Sequence, residues 1–210
     1  MLRLREKQAE TMQEVLKNID YVPTVFDFGP LTLTDEQFES LARNHPDLNI
    51  ELSAEGELII VAPTLPYTGG QNADLIFFLT AWARNDGTGK VFDSNSLFTF
   101  PNGAKRAPDA AWIIKDRWDA ISEIEKKKFS RLVPDFVIEL RSGSDNLKTL
   151  KEKMAEYISN GVRLGWLIDP SKKRVHVYRA NGEIEVLNDP AIVSGEDVLK
   201  GFELHVREIW

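Results

Sequence analysis

Two rhythms of apolar and polar positions run along this chain, and each marks a different kind of element. Leu4, Met12, Val15, Leu16 and Ile19 recur at near-helical spacing until Tyr21-Val22-Pro23 breaks the pattern, which predicts a peripheral helix. Thr34-Asp35-Glu36-Gln37 has the form of a capping box, with Leu33 and Phe38 placed as its hydrophobic staple, so a helix is predicted over 35–44 and ended by His45-Pro46. Ile50, Leu52, Leu58 and Ile60 then alternate around Ala54-Glu55-Gly56, the pattern of a hairpin with one buried face. The Pro- and Gly-rich stretch 63–70 predicts a loop. After it, Leu75, Ile76, Leu79 and Trp82 predict a helix over 71–84, closed by Asn85-Asp86-Gly87.

Strands are predicted at 91–92, 97–100 and 110–114, the last two joined by a turn at Pro101-Asn102-Gly103. A charged amphipathic helix is expected over 118–129. The strongest strand pattern of the chain is Phe136-Val137-Ile138-Glu139-Leu140, opened by Pro134-Asp135. A helix over 145–160 carries the stripe Leu147, Leu150, Met154, Tyr157 and Ile158, with Ser144 as its cap and Gly161 as its stop. Val162, Leu164, Trp166 and Ile168 mark another buried strand, followed by a hairpin of 174–178 and 184–187 around Asn181-Gly182. The sum is an α/β domain with a mixed sheet flanked by helices; residues 1–24 are expected as a helical extension and 25–210 as the domain itself.

The composition narrows the class. With 210 residues, the chain suffices for one sizeable core. It has no cysteine, which excludes disulfides and thiolate metal sites and suits a reducing, cytoplasmic home. No run of about 18 apolar residues is present, so membrane spanning is not expected. The net charge of −7 argues against a broad electropositive surface, although local basic groups or a bound cation would still supply positive charge at a phosphate.

The chemistry is signalled by a charge in the wrong place. Glu139 sits in mid-strand, where an isolated carboxylate costs several kcal/mol unless a partner or metal compensates it. Asp109 opens a neighbouring predicted strand. If the two strands pair, the carboxylates converge on one hard cation, and Mg²⁺ or Mn²⁺ suits such a pair because it keeps water and phosphate oxygens for its remaining ligands. Such an ion would support hydrolysis of a phosphodiester by activated water. Arg141, two residues beyond Glu139 and on the same strand face, is one candidate for the cation that helps; Lys153, one helix later, is the other. Asp135 and Glu139 lie four residues apart on one strand, about 13 Å, too far to share an ion, so Asp135 reads as structural.

Arg106-Ala107-Pro108-Asp109, then Pro134-Asp135-Phe136-Val137-Ile138-Glu139-Leu140-Arg141-Ser142, resembles the Uma-type family of restriction endonucleases, within the PD-(D/E)XK nuclease superfamily. Further matches are Lys153-Met154 with Tyr157, Gly161-Val162, Trp166-Leu167-Ile168-Asp169-Pro170 and Gly201-Phe202, so the resemblance spans about 32–210. It implies a restriction-endonuclease-like core, Asp109 and Glu139 as metal ligands, Lys153 rather than Lys151 as the basic residue, DNA as substrate and a homodimer that cuts both strands. The chain departs from the pattern where Arg141 replaces a lysine, since arginine cannot accept a proton but can bind phosphate bidentately. Gly143 stands for a frequent proline and Asn72 for an occasional histidine. Glu51 aligns with a recurrent glutamate of accessory role.

Competing chemistries find little support. His45, His176 and His205 have no metal-binding spacing, Gly87-Thr88-Gly89-Lys90 lacks the rest of a phosphate-binding loop, and no nucleophile elbow occurs. Lys126-Lys127-Lys128 and Lys172-Lys173-Arg174 read as solvated faces. The expected function is a metal-dependent endodeoxyribonuclease; the alternative is a catalytically inactive nuclease-like domain that serves binding or assembly.

Overall fold

The computed structural model describes residues 23–29, 31, 33–127 and 131–210. The helix predicted over 4–19 lies outside the described residues, as does all but the end of the expected 1–24 extension. Thr24 already opens β1 (Thr24–Phe26). α1 (Asp35–Asn44) has the predicted capping box: the Gln37 N–H donates to Thr34 Oγ1 at 3.2 Å, and the Thr34 N–H donates to Gln37 Oε1 at 2.9 Å. The predicted hairpin forms as β2 (Asn49–Leu52) and β3 (Leu58–Val61).

α2 (Pro66–Asp86) begins at residue 66, not 71, so more than half of the stretch expected as a loop is helical. Pro66 sits in the first turn, where its missing N–H forfeits no helical bond and its fixed φ suits the helix. Burial of Thr68 and Gln71 then carries the helix through Gly69 and Gly70 despite their low propensity. β4 (Gly89–Asp93) and β5 (Phe98–Thr99) follow. The turn at Pro101-Asn102-Gly103 leads first into β6 (Lys105–Arg106), which pairs with β5, and only then into β7 (Ala110–Ile114). Strands 97–100 and 110–114 are therefore not hairpin partners. A two-residue strand carries no periodicity by which β6 could have been seen.

The single helix expected over 118–129 is instead α3 (Lys115–Ala120), an extended Ile121 and a 3₁₀ turn at Glu125–Lys127. Ser122 causes the break: its hydroxyl accepts from the Glu125 N–H, and the Glu125 carboxylate accepts from the Ser122 N–H, which restarts the helical turn. β8 (Phe136–Leu140) is as predicted. α4 (Leu147–Ser159) is capped by Asn146, whose Oδ1 accepts from the Lys148 N–H at 2.8 Å; Ser144 faces the Ser142 hydroxyl instead. β9 (Leu164–Asp169), β10 (Arg174–Arg179), β11 (Ile184–Asn188), β12 (Val193–Ser194) and β13 (Glu203–Leu204) complete the order.

One six-stranded sheet, in spatial order β11-β10-β9-β8-β7-β4, frames the molecule. β8 and β9 run parallel and every other neighbouring pair is antiparallel, so the sheet is mixed, as expected. One face packs Trp112, Phe136, Ile138, Leu164, Trp166 and Val175 against Leu75 and Leu79 of α2 and against the C-terminal Phe202 and Leu204. The other packs Ala111, Ile113, Val137 and Leu167 under Met154 and Tyr157 of α4. Each fully buried large apolar side chain contributes about 1.5–3 kcal/mol, so these two layers fix the sheet rigidly enough to orient charged groups on its face. A smaller antiparallel sheet, β1-β3-β2-β6-β5, carries its own core of Phe38, Ile50, Leu52 and Leu58. Among the described residues no helix is long and apolar enough to cross a membrane.

Candidate active site

The register of β7 and β8 decides what the two singled-out carboxylates can do. Ala110 pairs with Ile138 and Ala111 with Val137, so one further step of the antiparallel ladder sets Asp109 opposite Glu139. Alternation places Asp109 with Ala111, and Glu139 with Val137, on the face covered by α4. The two acidic side chains thus share a face at adjacent positions. Asp109 is tied down on both oxygens: Oδ2 accepts from the Leu140 N–H at 2.7 Å, and Oδ1 accepts from the Asn72 side-chain amide of α2 at 3.2 Å.

Glu139 is 4% exposed and survives there because α4 brings it partners. Tyr157 and Lys153, four residues apart and therefore on one helix face, both reach Oε1: the phenol donates at 2.8 Å and the ammonium lies at 3.0 Å. Among the described residues Oε2 accepts no hydrogen bond. Burial raises the Glu139 carboxyl to about 7, the nearby Lys153 charge opposes the rise, and the Asp109 and Glu51 carboxylates add to it. Burial likewise raises Asp109, against the hydrogen bond from Leu140 and the charge of Lys153.

The Lys153 ammonium also lies 3.0 Å from Oε1 of Glu51, a 5% exposed residue of β2 in the smaller sheet. Burial would lower the lysine, but Glu139 and Glu51 together raise it above its ordinary value, so it stays charged. Glu51 is the hub of this side of the site. Its Oε1 also accepts from the Ala107 N–H at 3.0 Å, and its Oε2 lies 3.3 Å from Arg106 Nη1, while Arg106 Nε donates to Glu156 at 2.7 Å. Burial alone would raise Glu51, yet the Lys153 and Arg106 charges outweigh it and hold the carboxyl below its usual value.

The remaining sequence candidates sort themselves by position. Arg141 follows β8 directly, but its guanidinium is engaged away from the carboxylate pair: Nη1 binds Asp169 at 2.7 Å and Nε donates to the Asp145 carbonyl at 3.3 Å. Lys151 is exposed, whereas Lys153 is drawn into the cluster. Asp135 lies at the far end of β8, with Oδ2 accepting from the Ile114 N–H at 2.9 Å and Oδ1 2.8 Å from Arg117, the structural role expected of it. Sequence reasoning misses Arg106, Glu156 and the contact of Asn72. In the strand Ile50-Glu51-Leu52, alternation points Glu51 away from its own core, which in an isolated hairpin means toward water; only the docking of the second sheet turns that side into the site.

A divalent cation fits what is present. In the cluster of Glu51, Arg106, Asp109, Glu139, Lys153 and Glu156, four carboxylates face two cations; Glu139 shares Lys153 with Glu51, and among the described residues Asp109 forms no ion pair. Among the described residues no three His, Asp or Glu side chains are grouped as metal ligands, and two carboxylates side by side are a donor set of the size with which Mg²⁺ keeps water and substrate oxygens in its other positions.

A solved structure from Anabaena variabilis ATCC 29413, described as "a putative nuclease belonging to DUF820", has a TM-score of 0.71 to this chain at 22% identity and covers 86% of this chain and 97% of its own, a likeness of fold. Comparison with curated proteins gives no match. The model of the Uma2 family, described as "Putative restriction endonuclease", matches residues 35–207, from α1 to the turn after β13. The chain belongs to the Uma2 family, and its α/β fold is nuclease-like.

Proposed function

We infer that the protein is a divalent-metal-dependent endonuclease acting on DNA, in which Asp109 and Glu139 hold Mg²⁺ or Mn²⁺ and Lys153 serves the reacting phosphate. The observation that carries this reading is the pairing of Asp109 with Glu139 on one face, with the Lys153 ammonium 3.0 Å from Glu139. When bound, the ion would neutralise charge on the phosphodiester and lower the pKa of a bound water.

The chain's own groups supply the rest. Lys153, kept protonated by Glu51 and Glu139, acts as a donor that orients water and stabilises developing negative charge, not as a base. Tyr157 holds Glu139 in one rotamer through the bond to Oε1, which leaves Oε2 for the ion. The Leu140 N–H and the Asn72 amide fix the orientation of Asp109 through one hydrogen bond to each oxygen, and a second lone pair on each remains for the ion. Among the described residues Arg141 uses Nη1 on Asp169 and Nε on the Asp145 carbonyl but not Nη2, and we assign Nη2 to a phosphate that lies beyond the carboxylate pair.

A homodimer that presents two such sites to the two strands is the assembly proposed, in a reducing cytoplasm that suits a chain without cysteine. Light scattering checks the dimer. The net charge of −7 favours a second reading, a nuclease-like domain that binds or assembles without cleaving. Plasmid DNA incubated with Mg²⁺ or Mn²⁺ separates the two: nicking by the wild type that is lost in Asp109→Asn and Glu139→Gln supports the enzyme, and its persistence in both variants removes the assigned site.

A further inference from the structure

Glu51 is buried, belongs to the smaller sheet and touches three groups of the site, a commitment that its neighbours Ile50 and Leu52 do not share. We propose that Glu51 is a positioning residue that sets the charge of the Asp109–Glu139 pair: by neutralising Lys153 from the second sheet, it leaves both carboxylates free to share one divalent cation. This rests on the reading that the pair binds such an ion.

Two cations are divided among four carboxylates. Lys153 stands 3.0 Å from Glu51 Oε1 and 3.0 Å from Glu139 Oε1, so the two glutamates compete for one ammonium. Arg106 is likewise shared, between Glu51 Oε2 and Glu156. With Glu51 ionised, Glu51 and Glu156 balance Lys153 and Arg106, so that Asp109 and Glu139, once a cation has displaced their protons, offer it two unmatched negative charges. Without the charge on Glu51, Lys153 falls wholly to Glu139, and the pair loses half its claim on a dication. Glu51 also acts on geometry. Its bond to the Ala107 N–H fixes the backbone two residues before Asp109, and the Arg106 contact fixes the residue before that.

The test is calorimetric titration of the full chain with MnCl₂. Glu51→Gln keeps the shape and removes the charge; it is expected to weaken Mn²⁺ binding by about 10–100-fold, the range found for groups that support metal ligands. Lys153→Met combined with Glu51→Gln removes both members of the pair, and affinity is expected to return to within about twofold of wild type. A residue that merely holds the fold together would give a double variant worse than either single one. Unchanged affinity in Glu51→Gln, or a double variant weaker than Glu51→Gln, overturns the proposal. If Glu51→Gln does not fold, the double variant measured against wild type decides in its place: affinity within about twofold supports the proposal, and a loss of tenfold or more overturns it.

Failure of the underlying reading looks different: wild type takes up no Mn²⁺, or Asp109→Asn binds it as tightly. In that event thermal unfolding in chelator decides the positioning role. The two single variants are each expected to lower Tm, with the double variant losing clearly less than their sum; strictly additive losses overturn it.

Discussion

Asp109 accepts a hydrogen bond at 2.7 Å from the main-chain N–H of Leu140, the residue immediately after Glu139. One acidic side chain is thereby fastened to the backbone that carries the other. Its orientation needs no cation to hold it, because a main-chain donor in a six-stranded sheet does not swing away. The pair is preorganised to the extent that β7 and β8 are, and both strands are buried on each side.

Asp109→Asn and Glu139→Gln keep size and most hydrogen bonding while removing charge. Each is expected to fold with near-native Tm and to lose metal-dependent cleavage of supercoiled plasmid to background, with Mn²⁺ uptake lost in parallel. Cleavage by both at the wild-type rate would show that other residues do the chemistry.

The two lysines of α4 give a matched comparison. Lys153→Met is expected to lower the cleavage rate by about 10²–10³-fold, the usual cost of removing one preorganised donor at a developing charge. Lys151→Met, on the exposed side of the helix, is expected to cleave at the wild-type rate. Equal effects from the two would deny Lys153 its special place.

The pH dependence has a definite sign. Glu139 titrates at about 7 in the folded chain against an ordinary 4.5, so between those values the native state holds a proton that the unfolded chain has released. Metal-free stability therefore falls as pH rises from about 4.5 to about 7, and Glu139→Gln flattens that slope. A bound cation displaces the same proton, so Mn²⁺ affinity is expected to climb with pH and to level off above about 7. A flat affinity from about pH 5 to about pH 8 would contradict the assignment.

Gly89 tests the frame that aims the site. A Cβ there would overlap the indole of Trp112, a rigid buried ring on the neighbouring strand β7. Gly89→Ala is expected to destabilise the fold by about 1–3 kcal/mol, the usual cost of overpacking, as read from urea unfolding. A stability change under about 0.5 kcal/mol would show that β4 shifts freely.

The legible parts of this molecule are those in which local and tertiary preferences agree. The Thr34–Gln37 capping box, the run Phe136–Leu140 and the stripe on α4 each fold as their own residues prefer. The first turns of α2 are hidden in the sequence because Gly69 and Gly70 argue locally for a loop, while burial of Thr68 and Gln71 argues for a helix. α3 stops early because Ser122 and Glu125 cap a new turn inside an otherwise helical pattern. At the site, Asp109 and Glu139 stand out because a charge beside or within an apolar strand is conspicuous. The side of α4 from which a lysine enters is not legible, since Lys151 and Lys153 flank the stripe symmetrically, and Glu51 has the pattern of a solvent-facing residue of a hairpin.

The groups of the cluster are drawn from distant parts of the chain: 102 residues separate Lys153 from the Glu51 carboxylate it touches. During synthesis the ammonium joins its partners only after every intervening segment has been made and packed. A nascent polypeptide thus carries Glu51 and Glu139 before the lysine that joins them, and the constellation is complete only when α4 has packed onto the sheet.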